Sequence, residues 1–144
     1  MASKAQLTTE YIIKSVAPVF NKQGYSGTSM SDLTTATGLT KGAIYGNFQN
    51  KEELAFLSFK YNVDRVVKQI KKDLFELNSP IKQLYGLTNF YRKYRSVTID
   101  LGGCPIINIG VDANHENPVL LSRVQEVILK LQSYITKMIR LGIE

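Results

Sequence analysis

An all-α fold is predicted by three features of the 144-residue chain. Apolar residues recur at three- and four-residue spacing through most segments, glycine and proline fall between those segments, and a Ser, Thr or Asn stands where a helix N-cap belongs. With 44% hydrophobic residues the chain can bury a core of its own. The pattern divides it into a three-helix unit over residues 1–52 and a helical body over residues 53–144, linked by a long fourth helix.

The first helix is predicted over residues 8–24. Thr8 serves as N-cap, Ile12, Ile13, Val16, Ala17 and Phe20 recur at helical spacing, and Gly24 stands at the C-terminal end. Pro18 lies inside and should bend the axis, because it removes a backbone donor. In "YSGTSMSDLTTATG", Ser29 and Asp32 form a capping box, Met30, Leu33 and Ala36 give a short apolar face, and Gly38 ends the element. Thr40 then caps "KGAIYGNF", and Asn50 with Glu53 opens a fourth helix at Lys51 that runs to about residue 77.

Ser79 and Pro80 start a fifth helix through about residue 96, with Ile81, Leu84, Tyr85, Thr88 and Tyr91 on one face. "GGCPIINIGVDAN" reads as a short buried helix. Asn117-Pro118 opens a long one bearing a wide apolar stripe from Val119 to Ile139.

The span "GLTKGAIYGNFQNKEEL" is helical in pattern but poor in core residues; only Ala43, Ile44 and Phe48 are left to hold its first half down. Two helices joined by a short glycine turn, the second opening on Thr-Lys-Gly, match the helix-turn-helix pattern. A helix that enters a groove needs small residues for close approach and polar ones for contact, which accounts for the poor core. Thr28, Ser29, Thr40, Lys41, Tyr45, Asn47 and Lys51 can all donate to phosphate, and the capped helix starts add backbone N–H groups.

Charge agrees with a polyanionic partner. The net charge is +6, the pI is near 9.4, and the excess is +3 over residues 1–51, +3 over 52–100 and zero over 101–144. No stretch approaches the roughly 18 apolar residues of a membrane span, and "MASKAQLTTEY" lacks the apolar region of a secretory signal, so no membrane partner and a cytoplasmic location are expected. A single cysteine, Cys104, allows no internal disulfide.

These residues resemble the TetR family of bacterial transcriptional repressors. The resemblance rests on "FNKQGY" followed by "GTSMSDLTTATGLTKGAIYGNFQNKEEL", where the family has a threonine-led second helix, a glycine turn, a Lys-Gly recognition helix, a Tyr-x-His-Phe run and an Asn/Ser-Lys-Glu-x-Leu start to helix four. It implies that the Lys-Gly pair is Lys41 and Gly42, that the phosphate-binding tyrosine is Tyr45, and that Lys51 is the lysine opening helix four. Base reading falls to Lys41, Ala43, Ser31 and Thr40. Two departures are plain: Asn47 stands where histidine is commonest, and Gly46 where larger residues are frequent.

The resemblance further implies a double-stranded operator, a homodimer and a small-molecule effector, with a cavity and a dimer interface in the helical body. Aromatic residues between 56 and 94, with Phe59, Tyr61, Phe90 and Tyr94 as candidates, would line that cavity; ordinary core packing competes with ligand contact at each and outweighs it. Cys104 is a further candidate, either as an effector-sensing thiol at a helix start or, preferably, as a small buried residue. Family chains usually continue for two more helices that pair across the dimer, so the sequence reads either as a fragment that ends before them, which is preferred, or as a chain that dimerises through its sixth and seventh helices.

Catalysis finds little support. Asp112, His115 and Glu116 stand at i, i+3 and i+4 in "VDANHENP", but the chain has one histidine, and His115 is expected at the surface rather than on a metal. With no phosphate loop and no nucleophile elbow, neither enzyme activity nor a cofactor is expected. The competing reading is a helical interaction or scaffold protein with no specific DNA site, whose basic surface meets an acidic protein or a membrane; its best tract, "DRVVKQIKKDLFE", is broken by acids.

Overall fold

Ser3 begins the first helix. In the computed structural model, which describes residues 3–143 apart from the side chain of His115, its hydroxyl accepts from the Gln6 amide while the Gln6 side chain accepts from the Ser3 amide. This capping box starts α1 (Lys4–Gly27) five residues before the Thr8 expected from the apolar pattern. The remaining helices are α2 (Met30–Thr37), α3 (Lys41–Tyr45), α4 (Lys51–Leu74), α5 (Pro80–Arg92), α6 (Tyr94–Thr98), α7 (Pro105–Glu116) and α8 (Pro118–Ile143), with a short 3-10 turn at Ile99–Leu101. No strand occurs among the described residues, and the fold is all-α. The expectation for the His115 side chain lies outside the described residues.

The bend in α1 is not at Pro18. Gly24 is the residue with non-helical backbone, at φ 77° and ψ 175°, a region open essentially to glycine alone. Lys14, whose carbonyl loses its partner to Pro18, sits on an exposed part of the helix, where the loss is tolerated. One turn further along, on the buried side, Asn62 of α4 donates to the Ala17 carbonyl at 3.0 Å.

Four helices share the first core. Ile12, Val16 and Phe20 of α1 meet Leu33 of α2, Ile44 of α3, Phe48, and Leu54 and Ala55 of α4. Because α2 and α3 have 8 and 5 residues, they cannot hold helical form alone and depend on this cluster. Ala43 does not contribute: it is exposed, and Ile44 and Phe48 anchor α3 without it.

A second cluster joins Phe59 of α4 to Ile109 and Ala113 of α7 and to Leu120 and Val124 of α8. A third joins Val66 to Phe90 and Leu101. Helix α4 ends at Leu74 rather than near residue 77, and the fifth predicted helix is two, broken at Lys93. The face expected to be buried on α5 is largely its outer one: Ile81, Tyr85 and Tyr91 are exposed, while Leu87 and Phe90 are buried. The apolar arc of α5 is wider than a single face, so which part of it turns inward is chosen by α4 and α8. No helix of the described residues is long and apolar enough to cross a membrane.

Candidate nucleic-acid interface

Ser29, Thr40 and Asn50 start α2, α3 and α4, as expected. The Ser29 hydroxyl accepts from the Asp32 amide at 3.1 Å, and the Asp32 carboxylate takes the Ser29 amide at 2.7 Å and its hydroxyl at 2.6 Å. These bonds hold the Asp32 carboxyl below its ordinary pKa. Ser29→Ala is expected to destabilise the fold by about 1 kcal/mol, read by urea denaturation. Thr40 accepts from the Ala43 amide at 3.2 Å, and Asn50 from the Glu53 amide at 2.8 Å.

Between α2 and α3 the chain reverses on Gly38, which is left-handed at φ 67° and donates to the Thr34 carbonyl at 2.8 Å. Tyr11 of α1 pins the same corner, its hydroxyl donating to the Thr37 carbonyl at 2.9 Å. The turn therefore presents α3 from a fixed base, with Ile44 inward and fully buried.

The outer surface of this unit carries Ser31, Thr40, Lys41, Gly42 and Ala43, all exposed. A Cβ placed on Gly42 would meet nothing within 4 Å, so the start of α3 is open to close approach. Tyr45 is half-buried, and its hydroxyl donates to no group among the described residues.

Three predicted donors are placed differently. Thr28 is buried, and its hydroxyl donates to the Gly24 carbonyl at 2.6 Å, which removes it from the surface. Asn47 works largely inside the fold: its amide donates to the Ala43 carbonyl at 2.9 Å, and its oxygen accepts from Thr9 at 3.0 Å. One amide proton is left for an outside partner. The Lys51 ammonium lies 4.5 Å from the centre of the Tyr25 ring, and burial pushes its pKa down against the opposing pull of Asp112 and Asp32.

Three of the residues proposed to line an effector cavity come together, Phe90 packing on Tyr94 and Tyr94 on Cys104, while Phe59 lies in a separate cluster. Phe59 belongs to the second core cluster, Phe90 to the third with Tyr94 packed against it, and Tyr61 is half-buried. The Tyr94 hydroxyl donates to the half-buried Cys104 sulfur at 3.0 Å, and burial chiefly, with this contact, raises the Tyr94 pKa. Two surface grooves of about 490 and 470 Å³, one along Leu129–Leu141 of α8 and one at Arg92, Lys93, Arg95, Ser96 and Ile99, include none of these candidates.

Sequence reasoning passed over the side chains that fix this interface from behind. Thr9, Tyr11 and Tyr25 contact Asn47, Thr37 and Lys51 from α1, and no spacing rule connects residues so far apart in the chain. Asp112 and Glu116 attracted notice only as metal candidates. Among the described residues no group of three His, Cys, Asp or Glu is placed to hold a metal. Asp112 instead accepts from the Tyr25 amide at 2.6 Å, and Glu116 accepts from the Ser26 hydroxyl.

Residues 12–56 match the sequence profile of the bacterial regulatory proteins, tetR family. The whole chain superposes on a TetR-family transcriptional regulator from Cytophaga hutchinsonii with a TM-score of 0.91 at 37% identity, covering 99% of this chain and 72% of that one. A TetR transcriptional regulator from Chloroflexus aurantiacus J-10-FL gives a TM-score of 0.91 at 34% identity, covering 97% and 71%. Among curated proteins, the regulator AcrR of Shigella flexneri is 39% identical over 51 residues, 35% of this chain and 24% of that protein. The repressor DhaR of Mycobacterium sp. strain GP1 is 23% identical over 121 residues, 82% of this chain and 58% of that protein. The chain thus spans between a quarter and three fifths of the length of these curated relatives. With two solved relatives above 30% identity, each covered over more than two thirds of its length, the chain belongs to the TetR family of bacterial transcriptional regulators.

Proposed function

We propose that the chain binds a palindromic double-stranded DNA operator as a homodimer and acts as a repressor released by a small molecule. The observation that carries the DNA reading is the exposed Thr40-Lys41-Gly42-Ala43 start of α3, backed by the buried Ile44 and flanked by the free Tyr45 hydroxyl. In this reading Lys41 and Ala43, with Ser31 and Thr40, face base edges. Tyr45 holds a phosphate, joined by Lys51 and the remaining amide proton of Asn47, whereas Ser29 serves as the cap of α2, its amide and hydroxyl protons both spent on Asp32. Thr28 acts through the fold rather than by contact. The boundary between the DNA-binding and regulatory parts, at residues 52 and 53, falls in the first turn of α4, so one helix belongs to both.

A dimer would set its two recognition helices about one DNA turn apart, roughly 34–36 Å. Release then requires an effector that binds unequally to two spacings of those helices. The repressor reading draws support from DhaR, named as a transcriptional repressor. TetR-family members are transcription regulators rather than enzymes, and no catalytic step is assigned.

Titration of duplex binding against salt tests this. Tyr45→Phe is expected to weaken binding to cognate and unrelated duplexes alike by several-fold, on the scale of one lost phosphate bond, roughly 1 kcal/mol. Lys41→Ala is expected to weaken the cognate duplex more and to flatten the salt dependence by about one unit of slope. Cognate binding equal to the native chain's in both variants would remove α3 from the interface.

A further inference from the structure

The break in α1 at Gly24 interrupts the helical ladder where a continuous helix would run a bond from the Tyr25 amide to the Asn21 carbonyl. Both orphaned groups are taken by α7. Asn108 donates to the Asn21 carbonyl at 2.9 Å, and Asp112 accepts from the Tyr25 amide at 2.6 Å. Glu116, four residues further along the same row, takes the Ser26 hydroxyl. Residues 108, 112 and 116 lie one above another on a helix, so a single stripe of α7 reads the end of α1 in order.

The contact is fixed from both sides. Both amide protons of the buried Asn21 go to the carbonyls of Leu101 and Gly103, at 2.6 and 2.9 Å, which lead into α7. A Cβ on Gly24 would sit 2.5 Å from an Asp112 carboxylate oxygen, so the carboxylate fills the place where any other residue's side chain would begin. Beyond the break the line continues into the interface: Thr28 donates to the Gly24 carbonyl, and Ser29 caps α2. At the end of α7, Asn117 donates to Glu52 in the first turn of α4 at 3.0 Å.

We propose that the Asn108–Asp112–Glu116 row of α7 is a positioning device for the DNA-binding unit: it holds the α1 break, and through it the start of α2, in the conformation that presents α2 and α3 to DNA. The row touches no DNA itself. It acts through the Tyr25 amide and the Gly24–Ser29 segment, and it gives the body a route to the interface that is separate from α4. The proposal rests on the DNA reading above for its functional half, while its structural half stands apart from DNA.

Amide hydrogen exchange and duplex binding of the native chain, Asp112→Ala, Asp112→Asn and Glu116→Gln test it. Asparagine keeps an acceptor oxygen for Tyr25, whereas alanine leaves that amide without one. In Asp112→Ala, exchange at Tyr25 and through α2 is expected to rise roughly tenfold or more, with α4 protection around Phe59–Val66 unchanged and cognate duplex affinity reduced by a similar factor. Asp112→Asn should restore most of both. Glu116→Gln, a milder change at an exposed position, should raise exchange in the same segment by a smaller factor, and serves if the alanine variant does not fold.

Unchanged exchange at Tyr25 in Asp112→Ala and Glu116→Gln, a uniform rise across the whole chain, or an asparagine variant no better than alanine would overturn the proposal. Normal duplex affinity in a variant whose α2 exchanges faster would overturn its functional half. A native chain that binds no duplex would instead remove the DNA reading, and the two failures are therefore told apart.

Discussion

Gly24→Ala is expected to lower the unfolding free energy by about 2–6 kcal/mol, a large share of the stability of a small domain. Two costs combine. At φ 77° and ψ 175° a residue with a Cβ is forced into a region that costs it on the order of 1–3 kcal/mol. The same Cβ would stand 2.5 Å from the Asp112 carboxylate, so Asp112 must move and leave the Tyr25 amide unpaired, at roughly 1–3 kcal/mol. Gly42→Ala is the matched control: nothing lies within 4 Å of its Cβ, its φ is not positive, and the change should be neutral or stabilising by about 0.5–1 kcal/mol. Urea denaturation of the two variants decides the matter; equal midpoints would mean that the Gly24 break does not constrain the fold.

Phe20→Ala carries the other large effect, about 3–5 kcal/mol. Its ring is 1% exposed and packs within the cluster that joins α1, α2, α3 and α4. The short α2 and α3 bury their apolar side chains in this cluster, so hydrogen exchange in both should rise with the loss of this ring. A loss below about 1 kcal/mol, with α3 still protected, would show that the cluster is not what holds the helix-turn-helix together.

The parts of the molecule that were legible in the sequence are those decided locally. Ser29, Thr40, Asn50 and Ser79 each cap the helix assigned to them, because a cap needs only a side chain two or three residues from the amide it serves. The capping box at Ser3 and Gln6 is equally local, but it lies outside the apolar repeat that begins at Ile12, and that repeat points to Thr8 instead. Gly24 stands where the pattern ends a helix, and its φ of 77° agrees; that the chain resumes a turn of helix beyond it depends on α7.

What was not legible depends on neighbours distant in sequence. Thr28 has the residue type of a phosphate donor, yet its hydroxyl is spent on Gly24. Apolar side chains cover more than half of the circumference of α5, and periodicity does not show that Leu87 and Phe90, rather than Ile81 and Tyr85, face inward. Phe59 and Phe90 look alike in sequence but pack in separate clusters. Asp112 and Glu116 showed their four-residue spacing, but their partners Tyr25 and Ser26 lie 87 and 90 residues away, and a carboxylate's spacing does not say whether it meets a metal or a backbone amide.

The most direct test of the account is a selection of bound sequences from random duplex DNA, run in parallel with the native chain and Lys41→Ala. The account requires one shared motif, as an inverted repeat or as its half-site, enriched by the native chain and lost or degraded with Lys41→Ala. A pool that enriches no motif, or a motif that Lys41→Ala retains unchanged, would contradict recognition through α3.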